Sequence, residues 1–365
     1  MSKLYQIALT LLPGIGNVSA KNLLSYCGSA EGIFKTKKSQ LLKIPGIGEK
    51  TIGVILNHKE YLVRAEEELK FVERYKINML FFSSSSYPTR LKNCSDAPIL
   101  LYSKGNIDFN RQKIINIVGT RDATAYGKDI CRELIADLSK FNPIIVSGLA
   151  YGIDIAAHKE ALRNNLSTVA VLGHGLDKIY PGGHRSVAEK MLENGGLLTE
   201  FMSQTKPDRE NFPMRNRIIA GLCDATIVVE AKESGGALIT ADLANGYNRD
   251  VFAFPGNINE PSSSGCNELI KTNRAQLITS AADLEYYLAW EDKKAKKTTQ
   301  NLLFFDFSSD EKIIYDLICE NGPLSIDDLT AKVSISPGNI SRSLLNLEFN
   351  SLLKQLPGKI FKKYS

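Results

Sequence analysis

The chain has 365 residues, of which 43% are hydrophobic and 23% are charged, and its formal net charge is +5. This length predicts two or three domains, and the composition is that of an ordinary globular protein. The longest apolar runs have the length of strands and the N-terminus leads into no signal-like region, so we expect neither a membrane span nor secretion. The six scattered cysteines form no Cys-x-x-Cys pair, and the four histidines lack ligand-like spacing. We therefore expect a cytoplasmic protein with unbridged thiols and no metal site.

The charge is distributed unevenly along the chain. Residues 1–112 contain 16 lysines and arginines against 9 acidic residues, residues 113–290 contain 18 against 21, and residues 291–365 contain 11 against 10. The middle region is therefore not basic as a whole. If it binds a polyanion, a few placed arginines and backbone amides must do so.

Residues 1–76 predict a helical domain with an internal repeat. Leu12-Pro13-Gly14-Ile15-Gly16 and Ile44-Pro45-Gly46-Ile47-Gly48 lie 32 residues apart, and an apolar helical pattern follows each. The pattern resembles the helix-hairpin-helix motif, whose glycines let helix amides approach a DNA phosphate. A purely structural helical hairpin explains the repeat equally well, so both interpretations stay open. Residues 61–76 predict a charged, solvated connecting helix.

Residues 77–290 predict an α/β domain. A strand is expected near 78–82, and extended proline-containing segments follow it. From residue 113, β-branched runs alternate with helical patterns, which predicts a mostly parallel, doubly wound sheet. Further strands are expected near 114–119, 144–148, 168–172, 197–201, 225–230, 250–254 and 276–279. Helices are expected near 126–140, 153–164, 185–194, 212–221, 236–247, 266–272 and 281–289.

Several of these strands end at glycine, namely at Gly119, at Gly148 and at Gly173. Ligands of such sheets lie beyond the carboxyl ends of the strands, where helix N-termini can hold phosphate. Arg121 can grip phosphate there, although an internal ion pair is the alternative. Asp154 is expected to cap the next helix, and we expect His158 to pack rather than to catalyse.

Residues 212–221 form the densest stretch of polar and aromatic residues. Arg215 and Arg217 lie two positions apart, so we expect one to face a ligand and the other to pair internally with Glu200 or Glu230. Further on, Ser234-Gly235 opens a glycine-rich turn whose free amides form an anion nest.

Two aromatic residues near these turns can stack a nucleobase, namely Tyr180 and Phe212. Each can equally be an anchor of the core. Neither a Gly-x-Gly-x-x-Gly fingerprint nor a phosphate-binding P-loop is present, which disfavours a dinucleotide enzyme or an ATPase.

The C-terminal part predicts a lysine-rich linker over 291–303 and a small domain over 304–365. Helical patterns at 310–319, 325–332 and 337–349 precede two strands across a Pro-Gly turn, which together resemble a winged helix. Asn339, Ser341 and Arg342 lie at the front of the third helix, where a recognition helix presents polar groups. A protein-interaction module is the alternative.

Together the motifs of residues 80–285 resemble the DNA-processing protein A family (DprA/Smf). The matching motifs are Tyr87-Pro88, Gly119-Thr120-Arg121, Ser147-Gly148-Leu149-Ala150-x-Gly152-Ile153-Asp154, Gly173-x-Gly175-x-Asp177-x-x-Tyr180-Pro181, Phe212-Pro213-x-Arg215-Asn216-Arg217 and Ser234-Gly235. The resemblance implies an extended Rossmann-like core that binds single-stranded DNA without catalysis or cofactor. It also implies a homodimer that loads RecA recombinase onto incoming DNA during natural transformation.

The resemblance and the motifs assign DNA binding to Gly119, Thr120, Arg121, Ser147, Gly148, Gly152, Gly173, Tyr180, Arg185, Phe212, Arg215, Asn216, Arg217, Ser234 and Gly235. They assign the dimer interface to Asn267, Ile270 and Leu277. Some relatives carry a lysine directly after Tyr-Pro where this chain has Gly182, so we expect Arg185 to supply that charge. A nucleotide phosphoribohydrolase is the alternative function, but residues 234–242 lack the later glycine and the glutamate of its loop.

Overall fold

The structure is a computed structural model that describes residues 2–290, 307–350, 352–356 and 358–363. The chain divides into two compact units, the first within Met1–Glu291 and the second within Asp292–Ser365. The predicted linker over 291–303 lies outside the described residues. No helix among the described residues combines the length and the apolar character that crossing a membrane requires.

The first unit begins with a group of helices. They are α1 (Ser2–Leu11), α2 (Asn17–Cys27), α3 (Ala30–Lys35), α4 (Lys38–Leu41), α5 (Glu49–Leu56) and α6 (Lys59–Arg74). The predicted repeat forms two matching corners, because Gly14 and Gly46 adopt φ values of +76° and +77° before α2 and α5. A residue with a Cβ rarely adopts this conformation, which explains the glycines.

The helix α6 is more than the solvated connector that its charges suggested. Glu68 is 1% exposed and accepts hydrogen bonds from the amide (2.9 Å) and the hydroxyl (2.5 Å) of Ser203. Arg64 adds an ion pair to Glu68 at 3.0 Å. A buried carboxylate thus fastens α6 to the sheet region, because burial without these partners would be costly.

A nine-stranded sheet forms the centre of the first unit. Its strands are β1 (Asn78–Phe81), β2 (Leu100–Gly105), β3 (Ile114–Gly119), β4 (Ile144–Ser147), β5 (Thr168–Val171), β6 (Gly195–Thr199), β7 (Ala225–Glu230), β8 (Asp250–Ala253) and β9 (Gln276–Leu277). Their spatial order is β1-β2-β6-β5-β4-β3-β7-β8-β9. The pairs from β6 through β9 are parallel, and β1 and β2 add an antiparallel edge. The predicted mostly parallel, doubly wound sheet is therefore confirmed.

Helices cover both faces of this sheet. They are α7 (Thr89–Lys92), α8 (Ala125–Leu138), α9 (Ile153–Arg163), α10 (Arg185–Met191), α11 (Asn211–Leu222), α12 (Gly236–Gly246), α13 (Ser264–Lys271) and α14 (Ala281–Tyr287). One apolar cluster joins α11, α12 and α13 to one face, and another joins α8, α9 and α14 to the other. Burying both faces explains why the central strands are almost wholly apolar.

Two features of the sheet were not predicted. The segment that became β2 was expected only to be extended, whereas it pairs with both β1 and β6. The register between β3 and β7 shifts after Val118, so that Gly119 pairs with Glu230 and Val229 is the extra residue. Such a bulge bends a strand locally.

The second unit is a small three-helix domain with a three-stranded sheet. Its elements are α15 (Ser309–Asn321), β10 (Leu324–Ser325), α16 (Ile326–Lys332), α17 (Pro337–Phe349), β11 (Leu353–Leu356) and β12 (Ile360–Lys363), with sheet order β10-β12-β11. Ser336 caps α17 by accepting a hydrogen bond from the Asn339 amide at 3.4 Å. The three helices and the hairpin follow the prediction closely.

Candidate nucleic-acid interface

The candidate site lies where the winding of the sheet changes direction. The strand β3 has β4 on one side and β7 on the other, and all three run parallel. The loops after β3 and β7 therefore leave the same edge of the sheet and separate toward opposite faces. A crevice at such a point is where open α/β sheets bind ligands.

A carboxylate of the chain itself lies at the corner that begins α8. Glu230 is 2% exposed and accepts hydrogen bonds from the amide (2.9 Å) and the hydroxyl (2.7 Å) of Thr124, the N-cap of α8. The negative charge thus lies at the positive end of that helix. Glu230 thus lies beside this corner, while Ala125 and Tyr126 of the first helical turn line an open cavity of about 640 Å³. The expectation that the amides of this corner hold phosphate stays a prediction.

The corner after β4 is filled. Gly148 packs so closely against Arg215 that a Cβ there would overlap the guanidinium Nη1. The guanidinium is buried and donates to the carbonyl of Val171 at 2.7 Å. Burial lowers the pKa of Arg215 to about 10, while the nearby Asp154 charge acts in the opposite direction. Because Ser147 is buried and donates to the carbonyl of Ile117 at 2.6 Å, this strand end offers no open surface.

Asp154 does not cap α9 as expected, because Gly152 holds that position. Its carboxylate instead accepts hydrogen bonds from the amides of Gly148 (3.1 Å) and Ala150 (3.4 Å). Burial raises the pKa of Asp154, whereas Arg215 and these amides act against that rise. The carboxylate therefore shapes the loop after β4.

His158 packs inside the protein, as the sequence predicted. It is fully buried, and its Nδ1 lies 2.7 Å from the Thr168 hydroxyl. Burial lowers the pKa of His158 to about 3, and the positive charge of Arg215 acts in the same direction. The ring is therefore neutral at physiological pH and contributes to packing.

The helix α11 turns both of its arginines inward, whereas the sequence analysis expected one of them to face a ligand. Arg217 forms an ion pair with Glu200 and donates to the Asp96 carbonyl at 2.6 Å. The pairing with Glu200 is one of the two partners predicted. Arg215 is the buried group described above, and its partners Val171 and Asp154 lie on β5 and α9.

Asn216 links α11 to the next helix. It is 8% exposed and donates to the carbonyl of Gly236 at 3.2 Å. The amide of Asn216 thus fixes the start of α12 relative to α11. Its predicted role in DNA binding, like those of Arg215 and Arg217, stays a prediction, and the structure gives these residues supporting contacts.

The corner at α12 is open. Gly235 is the N-cap of α12, makes no side-chain cap and has open space around its Cα. Ser234 and Gly235 are both exposed. Lys232 lies in the same loop and bridges the crevice to Asp122 at 2.7 Å. The predicted anion nest at Ser234-Gly235 is therefore accessible.

A cation and two aromatic rings lie together beside this opening. Arg121 is exposed, and its guanidinium carbon is 5.8 Å from the centroid of the Phe212 ring. The Tyr180 ring, which is 48% exposed, lies 6.1 Å from that of Phe212. Gly173 leaves the space that Phe212 fills, since a Cβ there would lie 3.1 Å from the ring. Among the described residues, Arg121 has no acidic partner, so its charge faces solvent.

Gly119 and Gly152 allow close packing at the corner after β3. A Cβ on Gly152 would overlap the carbonyl of Thr120, and a Cβ on Gly119 would lie 2.8 Å from the carbonyl of Glu230. Thr120 accepts a hydrogen bond from the Asp122 amide at 3.2 Å. These residues hold the loop that carries Arg121.

Arg185 lies apart from this group. It begins α10 and lines a separate groove of about 240 Å³ with Tyr75, Lys104 and Lys178. No contact among the described residues joins it to Arg121 or Phe212. The structure thus brings Arg121, Phe212 and Tyr180 together and leaves Arg185 elsewhere.

The predicted interface residues lie near β9. Leu277 is 46% exposed on this edge strand, and Ile270 packs partly against the core. Asn267 holds both the amide (3.1 Å) and the carbonyl (3.0 Å) of Gly256.

The sequence reasoning did not place Lys232 or Asp122 at the crevice, and it named Glu230 only as a candidate partner of an arginine. Their proximity in the chain to Gly119 and Ser234 was the only available signal. No cluster of potential metal ligands occurs within the part of the chain that the structure describes.

A family model described as DNA recombination-mediator protein A matches residues 78–289. The chain belongs to this family, that of DprA and Smf. Models for a SAM-like helix-hairpin-helix tandem and for the DprA winged helix domain match residues 7–57 and 295–359. The predicted fold class, a Rossmann-like core flanked by these two modules, is thereby confirmed.

Individual members of the family resemble this chain over much of its length. Protein Smf of Synechocystis is 31% identical over 98% of both chains. The X-ray structure of DprA from Streptococcus pneumoniae matches with a TM-score of 0.63 and 32% identity, over 78% of this chain and 97% of that one. A DprA structure from Helicobacter pylori, described for its single-stranded DNA binding mode, matches with a TM-score of 0.53 and 30% identity, over 59% and 96%.

Proposed function

We propose that this protein binds single-stranded DNA at the crevice between β3 and β7 and acts as a recombination mediator. The observation that carries the proposal is the exposed Arg121 guanidinium, stacked against Phe212 beside the exposed Tyr180 ring. A cation next to aromatic rings is the arrangement that holds a phosphate while bases stack. The membership in the DNA recombination-mediator family supports it.

In this proposal the backbone phosphates lie over Arg121 and the amides that begin α12. The bases then lie toward Tyr180 and Phe212, where stacking tolerates every base and gives weak sequence preference. The buried Arg215 supports Phe212 from within, since its guanidinium carbon lies 5.8 Å from the same ring. A rigid platform loses less entropy when the strand binds.

The replacement Arg121→Ala tests the site by fluorescence anisotropy with oligo-dT and a duplex of equal length. We expect about tenfold weaker binding of the single strand and a salt dependence that is flatter by about one counterion. Arg163→Ala is the matched control, because Arg163 is an exposed arginine at the far end of α9. Unchanged affinity in Arg121→Ala, or equal affinity for duplex, would contradict the proposal.

We further propose that the protein works as a homodimer that loads RecA onto the bound strand. The exposed Leu277 and the partly buried Ile270 support an apolar contact near β9. Leu277→Arg should shift the mass measured by light scattering from dimer to monomer. A wild-type protein that is monomeric at micromolar concentration would contradict the dimer.

The action that we propose is binding without catalysis, in the cytoplasm. Two buried carboxylates near the crevice, Glu230 and Asp154, are both held by backbone amides of the chain. All six cysteines are unpaired thiols, which suits a reducing compartment. Release of free base from nucleoside monophosphates would instead favour the phosphoribohydrolase alternative.

A further inference from the structure

The groove that contains Arg185 is lined by aromatic and basic residues, which is the composition of a surface that binds single-stranded DNA. It is bounded by the end of α6, the end of β2, the loop after β5 and the helix α10. Tyr75, at the end of α6, is 44% exposed. Its ring lies 4.7 Å from that of Phe71, centroid to centroid. Phe71 is partly buried and supports the exposed Tyr75 ring, which offers a face on which a base can stack.

Cations surround this aromatic pair. The Arg74 guanidinium carbon lies 5.5 Å and the Lys104 ammonium 5.8 Å from the centre of the Tyr75 ring. Arg185 lines the same groove and is exposed. Arg74, Lys104 and Arg185 have no acidic partner among the described residues, so their charges remain available to a phosphate.

Two acidic residues also line the groove, and they limit its charge. Asp177 pairs with Lys178 at 3.3 Å and accepts a hydrogen bond from the Gln204 amide at 3.0 Å. Glu189 is exposed on α10. Two unpaired cations of the lining, Lys104 and Arg185, outnumber this one remaining carboxylate, and Arg74 lies beside Tyr75 at the edge, so the groove attracts anions. Its volume of about 240 Å³ is below that of a typical small-molecule pocket.

One loop connects this groove with the crevice. The segment after β5 carries Lys178, which lines the groove, and Tyr180, whose ring lies next to Phe212. Two residues of chain span at most about 7 Å. The two surfaces therefore adjoin along this loop.

We propose that the groove around Tyr75 and Arg185 is a second subsite for single-stranded DNA, which holds nucleotides beyond those at Arg121. This inference rests on the proposed function, since it extends the same bound strand. The two subsites are formed by different elements. The first lies between β3 and β7, whereas the second lies between the end of α6 and the edge of the sheet.

The test is a length series of oligo-dT from 4 to 24 nucleotides, measured by anisotropy with the full-length protein. We expect the affinity to rise with length, and Tyr75→Ala and Arg185→Glu each to remove the rise at longer lengths while leaving the shortest bound oligomer unaffected. The loss for the longest oligomer should be about tenfold, the size expected for one stacked base. Tyr286→Ala is the matched control, since Tyr286 is 81% exposed on α14 at the other end of the sheet.

The outcomes separate the two proposals. If Arg121→Ala weakens the binding of oligomers of every length but the Tyr75 and Arg185 variants bind them all like wild type, the second subsite is wrong and the first stands. If the wild type binds no single strand, both are wrong. Photo-crosslinking of 5-iodouracil oligomers gives an independent measurement, and the peptide that contains Tyr75 should be labelled only by the longer oligomers.

Discussion

The corner that begins α8 and the corner that begins α12 flank the same crevice, yet only the first of them carries a buried carboxylate. At α8, Glu230 accepts two hydrogen bonds from Thr124 and neutralises the helix end. At α12, Gly235 provides no side chain and its surroundings are empty. Both corners follow parallel strands, so the sequence pattern alone does not distinguish them.

The difference shows that a glycine at a strand end has two uses. At Gly148 the missing side chain makes room for Arg215 of the same chain, whereas at Gly235 it leaves the backbone accessible. A ligand site needs the second kind of corner together with an exposed cation such as Arg121. The following four experiments break or sharpen this comparison.

Glu230→Ala removes the carboxylate beside the start of α8 and should have the largest effect on stability. It leaves the amide and the hydroxyl of Thr124 without their acceptor and removes a charge from the start of α8, so we expect a loss of roughly 4 kcal/mol in the free energy of unfolding. Urea denaturation measures it. Glu233→Ala, an exposed glutamate of the same loop, should stay within about 0.5 kcal/mol, and equal losses in both variants would show that Glu230 does not stabilise the start of α8.

Gly148→Ala tests the close packing of Arg215. The new methyl group would overlap the guanidinium, so we expect a loss of about 3 kcal/mol in the unfolding free energy. Gly236→Ala at the open corner should cost less than about 0.5 kcal/mol, because its Cβ would lie 3.5 Å from the Asn216 amide nitrogen. Equal costs in both variants would remove the distinction between the two kinds of corner.

The buried ring of His158 predicts a pH dependence of the free energy of unfolding. The pKa of His158 falls from 6.5 in the unfolded chain to about 3 in the fold. Its contribution to stability is therefore complete above pH 6.5 and is lost as the pH falls toward 3. From pH 7.5 to 5 the wild type should lose about 2 kcal/mol more than His158→Gln, and identical losses would contradict the buried neutral ring.

Lys232→Ala probes the open corner and should change stability least. Its ion pair with Asp122 is exposed, so we expect a change within about 0.5 kcal/mol. The affinity for oligo-dT should fall about threefold with a smaller salt dependence. Lys140→Ala is the control, because Lys140 has similar exposure and an ion pair of 2.6 Å with Glu285 at the far end of α8; an equal loss of affinity there would mean that bulk charge is responsible.

Much of the fold followed from local patterns. The strand predicted at 114–119 is observed at Ile114–Gly119, and the helix predicted at 337–349 at Pro337–Phe349. The strand β2 was missed because it forms by pairing with β1 and with β6, and β6 lies almost 100 residues later in the chain.

The position of the candidate site was predictable, but the directions of its side chains were not. The strand ends correctly indicated the edge of the sheet at which Arg121 lies. The inward turn of Arg215 depends on Asp154 and Val171, which are distant in sequence. Sequence spacing shows which residues share a helix face, but not which arginine meets a buried carbonyl.

The extra residue in β7 decides at which of the two corners the Glu230 carboxylate lies. Val228 faces the apolar layer of α12 and Val229 faces that of α8. Strict alternation would turn Glu230 back toward α12, on the same side as Val228. The bulge opposite Gly119 cancels that alternation and keeps the carboxylate on the α8 side. A single inserted position thus keeps an acidic group away from the exposed amides at the start of α12.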